Sequence, residues 1–373
     1  MLLSLLVVPL SHADAPKCGP PSESQKTDFG VYVDDARTLM PGIPQLISAN
    51  VPSRYLRVHI RVKAQPPRKW VLRLYDNLGR PLETVDSQGA SSDFWTSRLP
   101  VSQISMVAEA EGAEPVLETV EHMEMPERTK AHYYSIQSAT PNWLPLYKPS
   151  IPGNRRLRGE SVGMLFATYG SNVIGHYNWT CSGVLVNGTP PIFVTAAHCG
   201  APDDFPALSW STAIRTRMLI DFSWDGDVVS REFELAAKNP IIDKEKDIAV
   251  LELRPRDGLG SPRPALLRDA SPTSGEEVYL IHHPASEEKR ISAGCRIEGD
   301  QAGTASAFTH RCDSESGSSG APVFDDGGTV VGLHLRGYEK TESGGCDNTN
   351  KAISSQSLVK FMRENGVPFA AKP

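Results

Sequence analysis

Three short strings, far apart in the chain, constrain its fold more than any other feature. Gly317-Ser318-Ser319-Gly320-Ala321-Pro322 sets a serine on a glycine-flanked turn whose backbone N–H groups can converge on an oxyanion. Thr195-Ala196-Ala197-His198-Cys199 closes an apolar run with a histidine, and Lys246-Asp247-Ile248-Ala249-Val250-Leu251 opens another with a carboxylate. A serine hydroxyl is a poor nucleophile at neutral pH. It needs an imidazole within hydrogen-bond reach to take its proton and return it to the leaving group. Singly, each string has an ordinary explanation: a surface loop, a buried structural histidine, or a strand-start aspartate paired with Lys244 or Lys246. Their conjunction points to acyl transfer, and a fold that serves it must bring His198, Asp247 and Ser319 together.

The order His, Asp, Ser resembles the trypsin/chymotrypsin superfamily of serine endopeptidases, over roughly residues 160 to 365. That resemblance implies an all-β fold in which two β-barrels meet at the active site. Residues to about 255 would form the first barrel, carrying His198 and Asp247, and the second would carry Ser319. It also implies His198 as general base, Asp247 as the group fixing its tautomer, Ser319 as nucleophile, and the N–H groups of Gly317 and Ser319 as the oxyanion hole. The substrate would be a protein or peptide, with no cofactor and no metal. Trypsin-type enzymes place an aspartate just before the nucleophile, where it pairs with a newly cut amino terminus. Here that place is Ser318, which has no charge, so activation is expected not to need such an insertion. The Ser-Ser-Gly variant is similar instead to the bacterial branch containing lysyl and glutamyl endopeptidases. So is Ile281-His282-His283-Pro284-Ala285-Ser286-Glu287-Glu288-Lys289-Arg290-Ile291-Ser292. Neighbouring histidines on a strand point to opposite faces, so His282 and His283 are expected to pack or hydrogen-bond rather than share a metal.

Residues for choosing the scissile bond follow from the same resemblance. Asp313-Ser314 stands where trypsin carries the aspartate that pairs with a substrate Lys or Arg, and Asp347 lies in a stretch like that from which lysyl endopeptidases draw theirs. His334 stands where glutamyl endopeptidases accept an acidic side chain, although lysyl endopeptidases carry a histidine there too; Gly337 completes the substrate-binding set. A carboxylate at the pocket base would repel an acidic substrate, so cleavage after Lys or Arg is expected over cleavage after Glu. The competing class is a catalytically silent binding protein on a protease scaffold.

At 373 residues the chain exceeds one protease domain of about 200, which implies two domains. A net charge of -6 and no basic stripe argue against nucleic acid. Residues 1–15 read as a signal peptide: an apolar run from Met1 to Leu10, then small residues before the cut. No other run reaches the roughly 18 apolar residues of a membrane span, so a secreted protein, extracellular or periplasmic and monomeric, is expected. Six cysteines fit an oxidising compartment. Cys181 and Cys199 bracket the run into His198, a pair bridged across the superfamily, and Cys295 is expected to pair with Cys312. Cys18 and Cys346 remain, and a related bridge occurs in lysyl endopeptidases.

Ahead of the protease region (159–373) come a spacer (16–27), a small β-sandwich (28–125) and a proline-rich linker (126–158). In the sandwich, Leu56, Val58, Ile60 and Val62 alternate with Arg57, His59, Arg61 and Lys63, the period of a half-buried strand. The sandwich could be a propeptide, making the chain a zymogen, or a retained accessory module, or a carbohydrate-binding unit. Arg155-Arg156-Leu157-Arg158 would suit cleavage by a basic-specific protease. A short terminal helix is expected from about Ser357 to Asn365, with Leu358, Phe361 and Met362 on one face and Gly366 as the stop.

Overall fold

The computed structural model describes residues 31–63, 68–88, 93–126, 142–171, 175–201, 205–215, 218–225, 231–236, 238–255, 262–300, 306–337 and 349–372. Residues 1–15, expected as a signal peptide, the expected spacer (16–27) with Cys18, and Cys346 and Asp347 lie outside them. Among the described residues, no helix is long and apolar enough to cross a membrane.

The N-terminal part is β1 (Val31–Leu39), β2 (Gln45–Ser48), β3 (Ser53–Val62), β4 (Trp70–Tyr75), β5 (Pro81–Asp86), β6 (Asp93–Trp95), β7 (Gln103–Ala110) and β8 (Leu117–Pro126). They form two antiparallel sheets, ordered β1-β8-β3-β6 and β2-β7-β4-β5. Leu56, Val58 and Ile60 of the first sheet pack on Leu72, Leu74, Ile104 and Met106 of the second, the expected sandwich core. The turn after β4 forms because Asp76 Oδ1 accepts the N–H groups of Leu78 (2.9 Å) and Arg80 (2.8 Å), with Gly79 at φ +76°. The alternation in β3 holds for the inward face only. Arg57 and His59, expected to meet water, are buried: Arg57 against Glu232 of the next unit, and His59 beneath Trp95 with Nδ1 on Glu121 (3.1 Å).

Chain 142–161 lies against the second barrel. β9 (Trp143–Pro145) pairs with a strand of the second barrel, and α1 (Gly153–Arg158) places the Arg155 guanidinium 4.8 Å from the Tyr279 ring centre. The basic string is thus helical and docked, whereas a protease needs an extended substrate.

The first barrel comprises β10 (Val162–Ser171), β11 (Gly175–Val186), β12 (Ile192–Ala196), β13 (Met218–Asp221), β14 (Glu232–Leu235), β15 (Ile241–Asp243) and β16 (Ile248–Pro255). It closes through the order β12-β11-β10-β13-β14-β16 when β16 returns to β12, with β15 outside. β17 (Leu267–Arg268) leads into β18 (Glu277–His282), β19 (Arg290–Asp300), β20 (Ala307–His310), β21 (Pro322–Asp325), β22 (Val330–Gly337) and β23 (Asn350–Ser354). The second barrel closes likewise, β21-β18-β19-β20-β23-β22 and back to β21. The fold is therefore all-β with two closed six-stranded barrels. One apolar cluster spans them, with Val184, Val194 and Val250 facing Tyr279, Phe324 and Leu333, so the barrels share a buried face rather than a hinge.

The terminal helix, α2 (Ser355–Glu364), is capped where Ser357 N donates to Ser354 Oγ (3.3 Å). Leu358, Val359, Phe361 and Met362 are buried, and Gly366 (φ +65°) ends it. The disulfides Cys181–Cys199 and Cys295–Cys312 are both formed.

Candidate active site

His198 follows β12 directly, on a turn held by two indoles. Trp210 Nε1 donates to Ala197 O (2.8 Å), and Trp179 Nε1 to Cys199 O (2.9 Å). Asp247 ends the turn before β16 at φ +57°, an uncommon conformation for a residue with a side chain. It brings the carboxylate under His198: Oδ1 accepts His198 N (2.9 Å), and Oδ2 lies 2.7 Å from His198 Nδ1. Burial pushes the Asp247 carboxyl up. The His198 hydrogen bonds and charge outweigh it, with Arg336 adding, and hold the group below the usual carboxylate range. An ionised Asp247 fixes the proton on Nδ1 and leaves Nε2 as a base.

The turn that carries Ser319 is built from both barrels. Ser182 on β11 takes most of the load: its N–H donates to Ser319 O (2.8 Å), its hydroxyl donates to Gly317 O (2.9 Å), and its Oγ accepts His283 N–H (2.9 Å). From the second barrel, Gly320 N donates to His334 O (2.7 Å). Gly317 and Gly320 lie at φ +90° and +82°, and a Cβ on either would overlap neighbouring backbone. Among the described residues, the N–H groups of Gly317 and Ser319 donate to nothing, while Ser318 N is spent on Glu315 O (2.9 Å). The Ser319 hydroxyl rests on Leu335 O (3.2 Å).

His282 and His283 diverge as a strand demands. His282 Nδ1 meets Ser318 Oγ (2.7 Å), and His283 Nδ1 meets Glu287 O (3.1 Å). Burial drives both imidazoles well below their ordinary range, so each is neutral. Cys181, His198 and Cys199 approach one another, but the two sulfurs are bonded together and cannot ligate a metal.

The substrate-binding set is only partly assembled. Asp313 accepts Asn142 N–H on Oδ2 (2.7 Å) and lines a cavity of about 570 Å³ with Asn142, Arg296, Glu298 and Arg311. Neither Ser319, His334 nor Gly337 borders that cavity, and Ser314 is buried. His334 is on the side of His198, close enough for the His198 charge to help lower its pKa, after burial and His310. Gly337 pairs with Asn350 across β22 and β23, and its missing Cβ makes room for the Asn350 amide.

Ser182, His310 and Asn350 are contributions that sequence reading misses. Cys312 N donates to His310 Nδ1 (3.2 Å), so the His310 proton sits on Nε2 and donates to His334 Nδ1 (3.2 Å). The His334 proton is therefore on Nε2.

Residues 181–333, which include His198, Asp247 and Ser319, match the family model of the trypsin-like peptidase domain. No curated protein matches the chain. Among solved structures, the active form of the Rv3671c protease from M. tuberculosis is similar at 16% identity and a TM-score of 0.41, covering 63% of this chain and 95% of that one. An inactive-form serine-to-alanine mutant of Rv3671c is similar at 15% identity and a TM-score of 0.40, covering 62% and 98%. Likeness at that level transfers no residue role. The family match together with the paired barrels makes this region a trypsin-like serine protease, a hydrolase.

Proposed function

We propose that the protein is a secreted endopeptidase that cuts peptide bonds through His198, Asp247 and Ser319. One arrangement carries the reading: His198 Nδ1 locked on Asp247 (2.7 Å) beside a turn whose Gly317 and Ser319 N–H groups are unspent. Substrate displaces the Ser319 hydroxyl from Leu335 O towards His198 Nε2. The imidazole takes the proton as Oγ attacks the carbonyl carbon, and the two N–H groups receive the oxyanion. His198 then protonates the leaving amine, and water repeats the cycle to release the acid. A fluorophosphonate probe is expected to label Ser319 in the wild type and nothing in Ser319→Ala. A folded wild type that stays unlabelled leaves the binding-protein alternative standing. Secretion is supported by the N-terminal apolar run and the two disulfides. Sequencing the amino terminus of protein recovered from the medium or periplasm tests it.

Cleavage after Lys or Arg rests on Asp313 and Asp347. With Asp313 engaged by Asn142 and opening onto a separate cavity, that reading depends on Asp347. Cleavage after Glu gains support from His334, whose Nε2–H suits a substrate side chain that accepts a hydrogen bond. Among the described residues, the second has the better-placed donor. Peptide-library profiling decides: basic cleavage that disappears in Asp347→Asn supports the first, and cleavage after Glu that disappears in His334→Phe supports the second.

A further inference from the structure

We propose that His282 is a positioning residue for the oxyanion hole, acting as a neutral latch on Ser318. The proposal rests on Ser319 being the nucleophile. His282 and Ser318 are both fully buried, and their 2.7 Å contact sits between the N–H groups of Gly317 and Ser319 in sequence.

The hydrogen bonds around this contact run one way only. The Ser292 hydroxyl donates to Asp313 O (2.7 Å), so its Oγ accepts the proton on His282 Nε2 (3.3 Å). The neutral ring then has a bare Nδ1, which accepts the Ser318 hydroxyl proton, while Ser318 Oγ accepts Glu315 N–H (3.0 Å). A protonated His282 would break this chain, and a phenyl ring would leave the Ser318 hydroxyl without its acceptor in a dry site.

The segment after His282 braces the turn from a second side. Ala285 N donates to Ser316 O (2.5 Å), and a Cβ at Gly317 would overlap His283 O. Ala285 and Ser286 both stand at positive φ, +49° and +62°, a conformation that must be over-determined by its surroundings. Trp224 Nε1 donates to Ser286 O (3.2 Å), and the Ser286 hydroxyl meets Thr180 Oγ1 (2.7 Å). Lys289, wholly buried, donates to Gly159 O and Phe222 O (2.8 Å each). The residues from His282 to Lys289 thus form an abutment anchored in both barrels. The contact with Ser318 forms on folding, where an ion pair at this position would wait for a chain cut.

His282→Phe and His282→Asn test the latch, since Asn can return an acceptor near Nδ1. Four quantities are read: kcat and KM on a peptide substrate, affinity for a peptide aldehyde that adds to Ser319, and affinity of the uncut peptide in a Ser319→Ala background. His282→Phe is expected to lower kcat and aldehyde affinity about 10- to 100-fold, with uncut-peptide affinity within about 2-fold and Asn restoring most of the loss. Unchanged kcat and aldehyde affinity overturn the proposal, as does an equal loss of uncut-peptide affinity. If His282→Phe does not fold, Ser318→Ala removes the same bond by deleting one oxygen, and the same readings apply. Fluorophosphonate labelling of the wild type keeps the two ideas apart. An unlabelled wild type sinks the nucleophile assignment, whereas a labelled wild type with an unaffected variant sinks the latch alone.

Discussion

Arg98 of the N-terminal sandwich pairs with Asp221 of the first barrel at 3.2 Å, with both side chains almost wholly out of water. The guanidinium lies between Tyr55 (4.7 Å) and Trp224 (4.2 Å), and its backbone N–H donates to Glu232 (3.0 Å), which also takes Arg57 (2.7 Å). Tyr55, Trp95 and Met123 close the contact against Met164, Phe166 and Leu219. The barrel face carrying Asp221 and Glu232 is thus completed by the sandwich, and Trp224 connects it to Ser286 beside the Ser319 turn.

Removing the Arg98 side chain strands Asp221 in a dry interface, while Glu232 keeps Arg57 and the backbone N–H of residue 98. Arg98→Ala is expected to cost about 3–5 kcal/mol by urea unfolding, and adding Asp221→Asn to recover part of it. Burial raises the Asp221 carboxyl, Arg98 opposes this, and Glu232 adds to it. A raised carboxyl means the folded state holds its proton to higher pH than the unfolded chain. Its contribution to stability therefore falls as pH rises above the usual carboxylate value, more steeply without Arg98. A variant within about 0.5 kcal/mol of wild type would show that the contact is not a stabilising one.

Gly320 tests the support of the Ser319 turn from the first barrel and, with it, the nucleophile role proposed for Ser319. A Cβ there would overlap Thr195 Oγ1 and Ser182 O, at a backbone φ of +82°. Gly320→Ala is expected to displace the Ser319 turn and lower kcat by about 100-fold or more, since small displacements of reacting groups cost that much. Steady-state kinetics beside a melting curve separate this from unfolding.

Much of the fold is legible in sequence because it is locally determined. The glycines at 317 and 320, the period of the inward face of β3 and the Gly366 stop after α2 each act within a few residues. The outer face of β3 is not legible, because Arg57 is buried by Glu232, 175 residues later. Asp313 sits at the offset of a cation-binding aspartate, yet its carboxylate is claimed by the N–H of Asn142, 171 positions earlier. The His282–His283 pair announces a polar role but not its partner, since Ser318 comes 36 residues on, across the barrel.

Asp247→Asn should leave the His198 turn in place and remove the anion that orients the imidazole. The amide can present its N–H to Nδ1, which puts the His198 proton on Nε2 and takes away the base. A fall in kcat of about 10⁴-fold is expected, with KM little changed. A loss under about 10-fold would exclude Asp247 from the role given to it.

The buried histidines set how the protein meets acid. His282, His283 and His334 are held well below the ordinary imidazole value of 6.5, and His310 is pushed down to about 3, in each case first by burial. The unfolded chain protonates these rings as pH falls through 6.5 and the folded chain does not. Unfolding is then accompanied by proton uptake, so stability is full above 6.5 and is lost as pH falls below it, by up to about 1.4 kcal/mol per pH unit for each ring. For His310 the loss continues to about pH 3. Asp247, held below its ordinary 3.8, adds its own loss only as pH falls through that lower range. Urea unfolding between about pH 7.5 and 4.5 is expected to show this decline, and His310→Asn to show a shallower slope on a lower baseline. A flat profile across that range would mean that these rings are protonated in the folded protein, which the one-way bonds through His310 and His282 do not allow.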